Sequence, residues 1–410
     1  MATPKRRSLI TLSTEHLPEG WLASTSALAG VPEKLDEILK SSRPLALRLN
    51  APFSLRDAEI EQIKSVSSEL RANSDVLIFV ATGGTSLAAR GLLETLRSPL
   101  DDGFEVLFAG DNLDPNALGE LSQLTDRRLS LVVAGQGPLS AETAAATALV
   151  RQLVRQRHGP AEAQRRIVVA ADGDCGELIQ LAGHEGYRLL PVSPGLSGRS
   201  AMYTAAGLMP LAACGFDVLQ VAEGARSQIR GMESKSLEEN PAMAYATTRL
   251  AAIEAGRTVE LLWTEGPRWE GLANLWRYLL AGGSLLPTRA GLNSDRWMIE
   301  PWQRHNREKT LNTVLTLEVV KNESTVPEVP GWPAAAALAG QKLAELFPRL
   351  RAQAIASQAS DGYLTIGLPR LDAFHLGALC AFFQRSNALA ELAREASAFD
   401  EHPLHLGAAR

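Results

Sequence analysis

Cysteine and long apolar runs are both scarce in this sequence of 410 residues. The three cysteines, Cys175, Cys214 and Cys380, are widely spaced, and an odd number argues against a disulfide framework. No pair has the spacing of metal ligands, so we predict no metal site and reduced thiols. No apolar run approaches the roughly 18 residues that a membrane span requires, and the N-terminal apolar run is too short for a signal peptide. We therefore predict a cytoplasmic protein with no membrane partner.

An excess of positive charge is also lacking. The net charge of −5 provides no basic field, which excludes nucleic acid as an expected partner. Two nucleotide-binding signatures are absent as well, since the sequence has neither a GxxxxGK[ST] loop nor a GxGxxG turn. These absences argue against a P-loop site and a dinucleotide fold, and we predict no cofactor.

What is present is an alternation of short apolar runs with longer amphipathic stretches. Apolar strands separated by helices are typical of a parallel sheet with helices on both faces, so the pattern predicts an α/β fold of the doubly wound class. The predicted strands are Val76–Ala81, Glu105–Ala109, Leu129–Ala134, Arg166–Ala170, Tyr187–Pro191, Thr258–Trp263 and Thr313–Val320. The predicted helices include Ser86–Leu96, Pro115–Leu124, Ala141–Arg157, Asp174–Ala182, Pro241–Ala255 and Phe374–Ala398.

The length predicts two domains, because a chain of this size exceeds one ordinary core. The alternation breaks between residues 195 and 240, and we place the domain boundary near residue 215. The predicted organisation is an N-terminal extension over residues 1–45, a first domain over 46–215 and a second domain over 216–410.

A glycine turn, residues 82–86, follows the first predicted strand. Thr82, Gly83, Gly84, Thr85 and Ser86 lead directly into a helix. Glycines let the backbone approach a bound group, and a helix N-terminus presents unpaired N–H donors at the positive end of its dipole. The hydroxyl groups add further donors, so the turn is predicted to bind phosphate or another small anion. The alternative is a tight strand–helix turn in which Thr85 or Ser86 caps the helix.

Ser140 and Thr143 begin the helix that follows the strand Leu129–Ala134. The carboxyl ends of parallel strands line one crevice, so both hydroxyl groups are expected near the glycine turn and would bind the same anion. The alternative is a capping box that links Ser140 to Thr143 on an ordinary helix.

Arg199 is a single cation, preceded by Gly198, in a stretch of small and apolar residues. A guanidinium group in such surroundings needs an anionic partner, and a phosphate or a developing oxyanion suits its planar fork. The alternative is a structural salt bridge.

Together these segments resemble the glucose-6-phosphate isomerase family, whose members have the SIS (sugar isomerase) fold. The matching segments include the family's GIGGS-type turn, its SKSGTT loop in part, its GGRYS…TAVGLLP…AGxD run, its NP…RLA helix and its LGAL…FD segment. They lie at Ala81–Leu87, Ala134–Thr143, Ser197–Asp217, Asn240–Ala251 and Leu376–Asp400. The resemblance implies two SIS domains, each a mainly parallel sheet with helices on both faces. It also implies a sugar-phosphate ligand, a homodimer and aldose–ketose isomerisation in glycolysis and gluconeogenesis.

The catalytic positions of the family are largely substituted. The resemblance implies a glutamate base, a histidine and a lysine for ring opening, and an arginine that steadies the developing negative charge. Tyr278 stands at the place of the glutamate and Trp297 at that of the histidine. Ala408 stands at that of the lysine, with Arg410 two residues beyond. Only Arg199 of this set remains, and the resemblance makes it the candidate catalytic residue.

We therefore expect a divergent member of the family that binds a sugar phosphate and is catalytically impaired, as a pseudoenzyme or a regulator. The alternative is an active aldose–ketose isomerase with rearranged catalytic groups, acting on glucose 6-phosphate and fructose 6-phosphate or on another sugar phosphate. Its acid or base would come from the tail, where His402 and His405 are the strongest candidates. Other candidates are Glu265, Glu270, Asp295, Glu300 and His305.

Tryptophan is concentrated in the second half of the chain. Five of the seven tryptophans lie within about forty residues, at Trp263, Trp269, Trp276, Trp297 and Trp302. They are predicted to fill the former sugar site or to form an apolar surface for a protein partner, which would make the chain an interaction module. Core packing is the alternative for each ring.

Overall fold

The computed structural model describes residues 8–394 apart from 19, 20, 22–27, 99, 102, 112, 113, 125, 197, 282–284, 293–295, 320–322, 360 and 361. In this part of the chain, strands and helices alternate to form two five-stranded sheets. Several positions discussed above lie outside the described residues: Ser197, Asp295, His402, His405, Ala408 and Arg410.

The strands are numbered in chain order. They are β1 (Thr11–His16), β2 (Val76–Val80), β3 (Glu105–Ala109), β4 (Leu129–Gly135), β5 (Ile167–Ala171), β6 (Arg188–Pro191), β7 (Val259–Thr264), β8 (Leu286–Gly291), β9 (Thr310–Leu317) and β10 (Tyr363–Leu368).

The helices are also numbered in chain order. The first eight are α1 (Val31–Leu39), α2 (Pro44–Leu49), α3 (Ala51–Ser54), α4 (Asp57–Asn73), α5 (Gly83–Leu96), α6 (Pro115–Leu121), α7 (Ala141–Arg166) and α8 (Gly176–Glu185). The others are α9 (Ala205–Ala213), α10 (Val218–Gly231), α11 (Pro241–Glu254), α12 (Glu270–Leu280), α13 (Arg296–Asn306), α14 (Pro333–Ala336), α15 (Leu343–Gln358) and α16 (Ala373–Ala393). Short 3-10 helices occur at Gly198–Tyr203, Pro267–Trp269 and Arg307–Lys309.

The first sheet has the strand order β3-β2-β4-β5-β6, and all its strands are parallel. β2, β4 and β5 are buried along their whole length. Their continuous apolar sequences reflect this, because a parallel strand is covered on both faces. Leu77 and Phe79 face one hydrophobic core, while Ile78 and Val80 face the other.

The second sheet has the order β1-β10-β9-β7-β8. Its strands are parallel except β1, which pairs antiparallel with β10 at the edge. Leu262 of β7 faces the same core as Phe79 of the first sheet, so one continuous core joins the two sheets. Leu261 and Trp263 face a smaller core under α13 and α15, to which Ile299 and Ile355 contribute.

The two halves meet through helices. α5, which follows the glycine turn, packs against α12, and α10 packs against α16. Phe382 and Phe383 of α16 are fully buried in the shared core. This packing brings the carboxyl end of β2 close to α12, the helix that carries Tyr278.

The predicted α/β class, with two mainly parallel sheets and helices on both faces, is confirmed. The predicted strand Thr313–Val320 lies instead at Thr310–Leu317, since buried polar residues such as Asn312 find hydrogen-bond partners inside the fold. The helix predicted to end at Arg157 continues to Arg166 across a kink at Gly159. The final helix is described over Ala373–Ala393, and its predicted end at Ala398 lies outside the described residues. The domain boundaries at residues 45 and 215 stay a prediction.

Candidate functional site

The glycine turn lies between β2 and α5. Because β2 is buried along its whole length, its carboxyl end brings the turn to the edge of the first sheet. Thr82 is the extended residue before the helix, and its side chain makes no capping hydrogen bond. Gly83 has a φ of 56°, a left-handed value that favours glycine. The helix begins at Gly83 rather than at Ser86, so neither Thr85 nor Ser86 is its capping residue.

The hydroxyl groups of the turn donate to neighbouring side chains. Thr85 Oγ1 donates to Gln136 Oε1 at 3.2 Å, and Ser86 Oγ donates to Asp111 Oδ2 at 2.7 Å. The other carboxylate oxygen of Asp111 lies 3.7 Å from Arg90 Nη2. Both Thr85 and Ser86 are buried. An anion at this helix end would therefore meet hydroxyl groups that already donate to protein oxygens.

The loop after β4 reaches the turn through the side chain of Gln136. Its Nε2 donates to Leu196 O at 2.9 Å, while its Oε1 accepts from Thr85. The Gly137 N–H donates to Asp172 Oδ1 at 3.1 Å, and Asp172 is buried. Gln136 thus joins the glycine turn, the β4 loop and the segment before the 3-10 helix at residues 198–203.

Ser140 and Thr143 make the local contacts of a helix cap. Ser140 precedes α7, and its Oγ accepts from the Thr143 N–H at 3.3 Å. The two side-chain oxygens are 3.1 Å apart, and Thr143 is 2% exposed. In this structure both hydroxyl groups serve the start of α7, as in the capping alternative.

Arg199 is buried in the 3-10 helix Gly198–Tyr203. Its Nε donates to Tyr278 O at 3.3 Å, and its Nη2 donates to Ala281 O. These carbonyl groups lie at the C-terminus of α12, where the negative end of the helix dipole favours a cation. The guanidinium group therefore fastens this 3-10 helix to α12.

Tyr278 brings α12 directly onto the glycine turn. A Cβ atom at position 84 would lie 2.4 Å from Tyr278 Oη and 2.6 Å from Gly198 Cα, so only glycine permits this approach. The Arg199 guanidinium carbon lies 5.9 Å from the centroid of the Tyr278 ring. Tyr278 thus places a phenol at the turn. With an ordinary pKa of about 10, a phenol is a poor proton acceptor at neutral pH.

The candidate replacement carboxylates that the structure describes form ion pairs with arginine. The pairs are Glu265–Arg351, Glu270–Arg289 and Glu300–Arg304. His305 is exposed on α13. None of these contacts links the four residues to the glycine turn.

The clustered tryptophans divide between core and surface. Trp263, Trp269 and Trp276 are buried, as the core alternative predicts. Trp297 is 79% exposed and Trp302 is 37% exposed, both on α13. The ring of Trp297 therefore lies on the surface of α13 rather than in the core.

Sequence reasoning missed two carboxylates at this edge of the sheet. Asp111 follows shortly after β3, and Asp172 follows β5 directly. Their positions at the carboxyl ends of parallel strands could have identified them as site residues, because such ends converge on one crevice. Together with Gln136, they supply the oxygens to which Thr85, Ser86 and Gly137 donate.

The three cysteines are poor candidates for reactive thiols. Burial raises the pKa of the Cys380 thiol to about 12, and burial also raises the pKa of Cys175 and of Cys214, which disfavours reactive thiolates. Over the described ranges, no three His, Cys, Asp or Glu side chains are grouped to hold a metal ion. In the same part of the chain, no helix has the length and apolar character to cross a membrane.

Comparison with known proteins gives similarities over most of the chain. It is 28% identical over 370 residues to the glucose-6-phosphate isomerase of Symbiobacterium thermophilum, covering 86% of this chain and 83% of that protein. It is 28% identical over 354 residues to the glucose-6-phosphate isomerase of Staphylococcus haemolyticus, covering 83% and 80%. No family model matches.

Solved structures share the fold. A hypothetical protein from Thermus thermophilus has a TM-score of 0.83 at 21% identity and covers 97% of both chains. A glucose-6-phosphate isomerase from Chlamydia trachomatis has a TM-score of 0.77 at 14% identity, covering 95% of this chain and 85% of the other. The shared architecture therefore includes both sheets.

Proposed function

We propose that this chain, a relative of the glucose-6-phosphate isomerases in sequence and fold, retains a weak site for a sugar phosphate but does not catalyse the isomerisation. The observation that carries the proposal is the phenol of Tyr278 at the glycine turn. The sequence resemblance implies a carboxylate base at this position. The proposed site comprises Thr82, Gly83, Gly84, Thr85, Ser86, Ser140, Thr143, Gly198 and Arg199.

The chemistry of an aldose–ketose isomerase requires a proton acceptor near neutral pH. The acceptor moves a proton between C1 and C2 of the sugar phosphate, and a positioned acid or base contributes about 10²–10⁴-fold to the rate. A phenol with an ordinary pKa of about 10 keeps its proton at pH 7. Tyr278 is therefore expected to reduce turnover by about 10²-fold or more, even if a sugar phosphate binds in the productive orientation.

The phosphate half of the site supports the same conclusion. The Thr85 and Ser86 hydroxyl groups and the Gly137 N–H already donate to protein oxygens. Two of the acceptors are the carboxylates of Asp111 and Asp172, and a carboxylate close to a phosphate dianion repels it. A ligand must displace these contacts, so we expect weak binding.

A coupled assay tests the proposal. Purified full-length protein is given fructose 6-phosphate, and glucose 6-phosphate is detected through a dehydrogenase, with the Symbiobacterium isomerase assayed in parallel. We expect turnover below about 10⁻² of that enzyme, from the loss of one positioned base. Ordinary turnover would overturn the proposal and favour an active isomerase with rearranged groups. In that event Asp111→Asn and Asp172→Asn would identify the carboxylate that serves as base.

The exposed face of α13 favours a second candidate function, protein interaction. Trp297 is 79% exposed and Met298 is 51% exposed, and large side chains of this kind are enriched at interfaces. If a homodimer or another protein partner uses this face, Trp297→Glu should weaken association in size-exclusion or cross-linking experiments. Trp332→Glu, which changes a tryptophan 59% exposed outside α13, is the matched control.

A further inference from the structure

Gln136 is a side chain to which the proposed function assigns no ligand. It is half-buried, and its amide connects three separate segments of the chain. One end accepts a hydrogen bond from Thr85 Oγ1 at 3.2 Å, and the other donates to Leu196 O at 2.9 Å. The acceptor of the Thr85 hydroxyl is therefore a protein amide rather than a ligand oxygen.

We propose that Gln136 is a latch that holds the anion site at the glycine turn closed. When its side chain withdraws, the Thr85 hydroxyl becomes available to an oxygen of a phosphate group. The inference rests on the proposed function, since it concerns the same site. It adds that one removable side chain contributes to the low affinity, beside the carboxylates of Asp111 and Asp172.

The surroundings of Gln136 allow it to move. Its neighbour Gly137 has a φ of 79°, and a Cβ built there would meet nothing within 4 Å, so space is open on that side of the loop. Gly135, in contrast, packs against Leu178 and Cys175 and holds the end of β4 in place. A side chain that is half-buried between a fixed strand end and an open loop can swing toward solvent without disturbing the sheet.

The hydrogen bonds of Gln136 set the size of the expected effect. An ordinary intramolecular hydrogen bond changes an equilibrium constant by only about twofold to tenfold. The side chain of Gln136 makes two such bonds across the site. Removing both should therefore improve the affinity for phosphate by about tenfold.

Gln136→Ser is the direct test, because it removes the amide and leaves a small hydroxyl donor. Isothermal titration with inorganic phosphate, glucose 6-phosphate and glucose should show phosphate or its ester binding about tenfold more tightly to the variant than to the original chain. Gln123→Ser, at an exposed position after α6, is the matched control and should change nothing. Tighter binding of glucose 6-phosphate than of inorganic phosphate would identify a sugar ester as the ligand.

A double variant shows where the phosphate binds. Gln136→Ser with Thr85→Val lacks the hydroxyl that the latch releases, so its affinity should return to that of the original chain. Circular dichroism verifies that each variant is folded, and Gln136→Ala provides a second truncation. Equal phosphate affinity in the original chain and in both truncations would overturn the latch and leave the proposed function intact, as would a gain that survives Thr85→Val. Turnover of fructose 6-phosphate by the original chain would instead overturn the proposed function.

Discussion

Arg199→Ala separates a structural from a ligand-binding role of this arginine, which the sequence resemblance makes the candidate catalytic residue. The substitution deletes the guanidinium group that donates to Tyr278 O and Ala281 O at the C-terminus of α12. Arg199 is 8% exposed, so both of these hydrogen bonds are removed from a region with little solvent. We expect a loss of stability that does not depend on any ligand.

The contacts of Arg199 allow the loss to be estimated. A hydrogen bond to a charged group contributes about 1.5–3 kcal/mol, and the bond to Tyr278 O is long at 3.3 Å. Taking the lower figure for each of the two bonds gives about 3 kcal/mol. The favourable interaction of a cation with the end of a helix dipole adds at most about 1–2 kcal/mol. We therefore expect the free energy of unfolding to fall by about 3–5 kcal/mol.

Urea denaturation followed by tryptophan fluorescence measures this loss, since the buried Trp276 lies in α12 itself. Arg277→Ala is the matched control, because Arg277 is an exposed arginine in the same helix. Its effect should stay within about 0.5 kcal/mol. Arg199→Lys should recover part of the stability, because the ammonium group keeps the charge but not the planar fork.

A different outcome would refute the reasoning. If Arg199→Ala unfolds at the same urea concentration as the original chain and loses only a stabilisation by added sugar phosphate, then the arginine serves a ligand rather than α12.

Three further predictions concern the buried pair, the turn and pH. Glu260→Gln should lower the free energy of unfolding, measured by urea denaturation, by about 3–5 kcal/mol, because it leaves the buried Arg249 without the carboxylate that lies 3.0 Å away. The double variant Glu260→Leu with Arg249→Met should lose less stability than the sum of the losses in its two single variants. Gly84→Ala should lower the free energy of unfolding by about 3 kcal/mol, since its Cβ would overlap backbone atoms of Gly198. A variant as stable as the original chain would contradict this close approach. Burial and nearby arginines lower the pKa of His158, whose Nε2 accepts a hydrogen bond from the Leu129 N–H. The imidazole therefore binds its second proton more tightly in the unfolded chain than in the folded one. The stability that this neutral histidine contributes is present above its ordinary pKa of about 6.5, and it is lost as the pH falls through the lower pKa of the folded chain. Between pH 7 and pH 5, the urea midpoint of His158→Gln should therefore fall less than that of the original chain.

The buried strands could be predicted because their sequences are apolar on both faces, as in Val76–Val80 and Leu129–Gly135. β1 could not be predicted in this way. Its sequence, TLSTEH, is mostly polar and half-exposed, and it is a strand because it pairs with β10, where Thr11 lies opposite Gly367. Such an edge strand depends on a partner that is distant in the chain, which local periodicity does not reveal.

Within the candidate site, the local sequence predicted which residues take part but not which residues they contact. The cap at Ser140 was among the alternatives because donor and acceptor are three residues apart. The glycine turn was identifiable because consecutive glycines between a strand and a helix usually mark a tight turn. The contact of Tyr278 with Gly84 was not identifiable, since it depends on how α12 packs against α5.

The sequence by itself determined the class of fold and the position of the glycine turn, because periodicity and backbone freedom are local properties. Only the tertiary structure decided whether the donors at the turn are available. Their acceptors lie far away in the chain: Gln136 is 51 residues from Thr85, and Asp111 is 25 residues from Ser86. The two carbonyl groups that accept from Arg199 are 79 and 82 residues away. Packing of the sheets and helices brings these groups together, and it is this packing that determines how open the site is to an anion.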